Sequence, residues 1–148
     1  MKIRLLLTLS ISSIAAMAQS PVASFPVASM EFLDVELPKM EAAVAAKDRS
    51  YFAESNVRMQ RFLEAWGLKT NAAALEAYPM CTDAVTDFQI VGLCRVLPAG
   101  TICDPTTFIP KFEKNLAQCR AAARLTSRSS RLASASRRSR LSFNVRCS

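Results

Sequence analysis

The chain has 148 residues, 51% of them hydrophobic, with five cysteines, three glycines and no histidine. This excludes Ser-His-Asp and Cys-His catalysis and histidine metal sites, and so few glycines supply neither a phosphate-cradling loop nor a dinucleotide fingerprint. The net charge of +7 sits at the two ends: residues 1–18 hold Lys2 and Arg4, residues 19–124 hold 11 basic against 12 acidic side chains, and residues 125–148 hold six arginines and no acid. The part expected to fold is therefore near neutral, which argues against it as a nucleic-acid binder.

Met1-Lys2-Ile3-Arg4 is a basic start, residues 5–14 are an apolar run, and Ala16-Met17-Ala18 is a small-residue cleavage site ahead of Gln19. Residues 1–18 therefore read as a signal peptide, which predicts a periplasmic or secreted protein of about 130 residues, enough for one core. No later apolar run approaches the roughly 20 residues of a membrane span. Residues 19–33, with Pro21 and Pro26 among small residues, are expected to be a flexible linker.

An all-α bundle of four to five helices is predicted over residues 34–124. The first helix starts near Asp34 or Pro38, with Leu37, Met40 and Val44 on one side. A break at Asp48, a capping residue, separates it from a second helix lined by Phe52, Ser55, Met59, Phe62, Leu63 and Trp66 and stopped by Gly67, with Leu68 folding back; one long helix is the alternative, since no Gly or Pro enforces the break. Thr70 or Asn71 caps a short third helix over residues 72–78, closed by Pro79. Thr82 caps a fourth to about residue 93, with Ala84, Phe88 and Val91 inward. Thr107 caps a fifth, with Pro110 in its first turn and Phe108, Phe112, Leu116, Cys119 and Ala123 on one face. Residues 125–148, rich in Ser and Arg without a sustained period, are expected to be a disordered tail. Its arginines (Arg128, Arg131, Arg137, Arg138, Arg140 and Arg146) are capable of weak polyanion binding.

The cysteines follow from these helices. Cys81 and Cys94 bracket the fourth helix and would stand about 20 Å apart at ~1.5 Å per residue, far beyond the roughly 5.5 Å between the Cα atoms of a disulfide. Cys103 and Cys119 are separated in the same way by the fifth. A short connection makes the two helices antiparallel, so the predicted disulfides are Cys81 with Cys119 and Cys94 with Cys103, leaving Cys147 free or intermolecular. No C-x-x-C spacing supports a zinc site, and neither a metal nor a cofactor is expected.

Two carboxylates, Asp83 and Asp87, fall one helical turn apart, the spacing an acid/base pair or a calcium site uses, but the expected reading is that Asp83 satisfies the helix start and Asp87 faces solvent. Lys111 and Lys114 beside Phe112 are an anion-binding pattern or the wet face of a helix. The span from Cys94 through Gly100 and Cys103-Asp104-Pro105 to Cys119 is loosely similar to the cysteine-then-proline segment of periplasmic immunity proteins that neutralise amidase toxins of type VI secretion. It is similar also to small accessory proteins of conjugative transfer, so the likeness identifies no family. The expected function is a non-enzymatic exported helical module that binds a protein partner in the cell envelope. An immunity or inhibitor protein, or an accessory protein of a secretion system, is the more specific form, and an enzyme using Asp83 and Asp87 the alternative of another class.

Overall fold

The computed structural model describes residues 21–98, 101 and 104–144, with side chains from residue 22 to residue 133 of that set. Five helices and no strand are present among them: α1 (Pro21–Ala46), α2 (Ser50–Ala65), α3 (Ala73–Ala77), α4 (Pro79–Val96) and α5 (Pro105–Asn144). The expected signal segment, Cys103 and Cys147 lie outside the described residues.

Most local signals act as their chemistry dictates. Asp48 accepts hydrogen bonds from the Ser50 N–H (2.9 Å) and hydroxyl (2.6 Å), starting α2. Lys47, at φ 53°, takes the left-handed conformation that ends α1, so helices one and two are separate. Gly67 does the same for α2 at φ 96°, and the Leu68 N–H reaches the Leu63 carbonyl at 3.1 Å. Leu68 itself stays 46% exposed and does not fold back onto the core. Ala72 is the N-cap of α3, and Asn71 just ahead of it accepts from the first helical N–H, that of Ala73, through its Oδ1 at 3.1 Å.

Two caps differ. Pro79 opens α4 rather than closing α3, because its ring fits a first-turn position whose N–H has no partner anyway. Thr82 then lies inside the helix and donates its hydroxyl to the Leu75 carbonyl (2.9 Å). Asp104, not Thr107, starts α5: its carboxylate accepts from the Thr106 N–H (3.0 Å) and from the hydroxyls of Thr106 and Thr107. Pro105 takes the first helical position and Pro110 falls inside the helix.

The larger differences are at the ends. Residues 21–33 are helix rather than flexible linker, although Pro26 and Pro38 each remove a ladder hydrogen bond at about 3 kcal/mol. Tertiary burial offsets the cost: Phe25, Pro26, Ser29 and Leu33 are fully buried, and a buried Phe or Leu contributes about 1.5–3 kcal/mol. At the other end, α5 runs on through residues 125–144 instead of dissolving into an irregular tail. That stretch has neither Gly nor Pro. Its hydroxyls are absorbed by the helix, since Thr126, Ser127, Ser129 and Ser130 each donate to the carbonyl four residues back at 2.9–3.1 Å.

α4 is the hub, with Cys81, Ala84, Val85 and Phe88 all fully buried. It packs against α1 and α5, which also pack on each other, while α2 and α3 lie across α1 and α4. An aromatic seam joins three of the helices: Phe32 stacks on Phe62 at 4.8 Å and meets Phe88 edge-on at 5.9 Å, and Phe25 meets Trp66 edge-on at 5.2 Å. Gly92 lets α4 approach closely, since a Cβ there would lie 2.5 Å from the Phe52 ring and 2.8 Å from Met40 Cγ.

Candidate functional site

The α4/α5 pair is antiparallel, because its contacts climb one helix while they descend the other. Cys81 is disulfide-bonded to Cys119 with a Cα separation of 4.8 Å. Asn115 Nδ2 donates to Asp83 Oδ2 at 3.2 Å, and Lys111 Nζ lies 3.4 Å from Asp87 Oδ2. This is the hairpin expected from cysteine spacing. Cys94 is also disulfide-bonded, and Cys103, its expected partner, is among the residues not described.

Asp83 and Asp87 are thus brought together as their spacing predicts, but Asp83 lies beyond the first turn of α4 and Asp87 does not face solvent. Asp87 is only 8% exposed. Burial pushes its carboxyl above the ordinary value, Lys111 pulls it back, and the neighbouring Asp83 charge adds to the rise. Lys111 also lies 3.9 Å from Asp83 and 5.8 Å from the centre of the Phe108 ring. One ammonium therefore serves both carboxylates, with Asn115 as a second donor. Lys114, paired with Lys111 in the sequence pattern, makes no ion pair among the described residues. No group of three or more metal-ligating side chains occurs among those residues.

A polar network that no sequence pattern announces ties α1 to α2 and α4. Glu36 is 2% exposed and receives Arg58 through Nε and NH2 at 2.9 Å each, Tyr51 through its hydroxyl at 2.9 Å and Ser55 at 3.2 Å. Gln89 of α4 then donates to the Ser55 hydroxyl at 3.3 Å. Burial alone would raise the Glu36 carboxyl, but the hydrogen bonds from Arg58, Tyr51 and Lys39 win and hold it at about 2. These saturated contacts leave the carboxylate no capacity for a substrate, so the network is structural.

A feature able to meet another molecule lies between α1 and α5. A groove of about 470 Å³ is walled by Arg120, Arg124, Arg128 and Arg131 of α5 and by Met30 and Asp34 of α1. Its first three arginines recur every fourth residue, so a helix stacks them on one face about 6 Å apart. Arg120, Arg124 and Arg128 are exposed and form no ion pair among the described residues. Their spacing was present in the sequence, but it straddles residue 124, where the composition changes, and only continuation of α5 aligns the two sides. Beyond the groove Leu125 and Leu132 are 64% and 72% exposed, one heptad apart. Comparison with known family models, with curated proteins and with solved structures found no match.

Proposed function

We propose that this chain is a non-enzymatic helical binding module of the cell envelope or extracellular space, and that the outer face of α5 is where it meets a protein partner. One observation carries the reading: α5 continues well past Ala123, its last buried residue among those described, and turns arginines and two leucines outward. Such an extension adds little to the core, and a helix that presents side chains beyond its own fold is suited to contact. Export is supported by the signal-like start and by the Cys81–Cys119 disulfide, a bond that persists in oxidising compartments. No described helix is long and apolar enough to cross a membrane. The non-enzymatic reading is favoured by the state of the one carboxylate pair, since Lys111 and Asn115 already engage Asp83 and Asp87.

The test uses the oxidised protein and a form ending after Arg124 as baits in an envelope extract. The short form should lose only the helical signal of the α5 residues removed, keep its melting temperature within a few degrees because Ala123 is the last buried residue of α5 among those described, and lose the partner. A partner retained equally by both forms would place the contact elsewhere and overturn the assignment.

A further inference from the structure

We propose that the α1/α5 groove is a receptor for an acidic peptide segment, the carboxylates of that segment pairing with Arg120, Arg124 and Arg128; this rests on the binding-module reading above. The argument begins with shape. Met30 and Ala123 are 7% and 9% exposed and lie at the base of the groove, while the guanidinium-bearing arginines stand along its α5 side. An open groove with an apolar base and a charged wall accepts a rod or an extended chain along its length.

Charge then selects the occupant. A second copy packed through the same stretch of helix would set arginine against arginine, because residues 114–148 contain no acid to answer them. Single-stranded nucleic acid is held by aromatic platforms as well as by cations, and residues 120–133 contain no aromatic side chain. Carboxylates suit the wall directly, since a guanidinium offers two parallel N–H donors to a carboxylate and remains charged at any physiological pH. From Arg120 to Arg128 the helix rises about 12 Å, which an extended peptide covers in roughly four residues. Acidic side chains at alternate positions would therefore meet successive arginines. Asp34, the one acid in the groove, opposes such a ligand and limits its affinity.

The probe is a fluorescently labelled oligoglutamate peptide of about eight residues, titrated into the oxidised full chain by anisotropy at low and at physiological salt. Binding should weaken about tenfold in the R124Q/R128Q double variant and tighten about two- to threefold in Asp34→Asn. These side chains are exposed, so folding is checked by unchanged circular dichroism. A thymidine oligonucleotide of equal length and phosphatidylglycerol vesicles are titrated in parallel. Equal or tighter binding of either, or indifference of the peptide to the arginine pair and to Asp34, would overturn the proposal. The two readings fail separately. A partner captured through α5 while oligoglutamate ignores the groove removes the acidic-segment inference and leaves the binding module standing, whereas a partner retained without residues 125–148 removes the α5 surface itself.

Discussion

Replacing Glu36 by glutamine keeps the side chain's shape and removes its charge, so it isolates what the carboxylate does for the union of α1 and α2. The folded-state carboxyl is held at about 2 against an ordinary 4.5. At roughly 1.4 kcal/mol per pH unit this amounts to about 3 kcal/mol at neutral pH, an upper figure because Arg58 is partly solvated. The sign follows from the direction: a depressed carboxyl contributes stability that is complete above about pH 5 and is lost as pH falls through about 2. Glutamine also turns an amide N–H2 toward groups that donate, since Arg58, Tyr51 and Ser55 all direct hydrogens at this position. Urea denaturation at pH 7, 4 and 2 should find Glu36→Gln less stable by about 2–4 kcal/mol at pH 7, with the gap closing toward pH 2. The other carboxyls lowered in the fold, Glu41, Asp48 and Asp104, are common to both proteins and cancel in the difference. A gap that stays constant from pH 7 to pH 2 would mean that the charge of Glu36 contributes nothing, and the network argument would fail.

Proteolysis and mass spectrometry of the oxidised protein should return Cys81 linked to Cys119, and Cys81→Ser/Cys119→Ser should lose about 4 kcal/mol from the freed 38-residue separation; a Cys81-to-Cys94 linkage would contradict the antiparallel pair. Gly92→Ala sets a helix-propensity gain of about 1 kcal/mol against overlap with Phe52 and Met40, and overpacking at about 1–3 kcal/mol should win; a raised melting temperature would show that the Phe52 ring yields freely. Carbon-13 NMR titration should find the Asp87 carboxyl above its ordinary range, higher still in Lys111→Met and lower in Asp83→Asn. No response to either substitution would mean that burial alone sets it.

The local punctuation of the fold was legible in the chain itself. Asp48, Gly67 and Asn71 each govern a short stretch of backbone through one hydrogen bond or one φ angle, so their effect does not wait for distant partners. The Cys81–Cys119 bond was legible for a related reason: helix rise and a short connection restrict which cysteines can meet, whatever the rest of the chain does.

The ends and the sites belong to tertiary structure. Pro26 argues locally for extended chain, and only the burial of Phe25 and Leu33 against distant helices reverses that preference. The Glu36 network draws on positions 15 to 22 residues away, with no pattern linking them until α2 lies across α1. The groove arginines share one helical face, but Met30 and Asp34, some 90 residues earlier, become their opposite wall only when α1 packs against α5. Local stereochemistry thus determined the breaks after α1 and α2 and the pairing of Cys81 with Cys119. Burial and long-range contact decided how far α1 and α5 run and which side chains stand together, because those energies arise only when segments far apart in the chain leave water against one another.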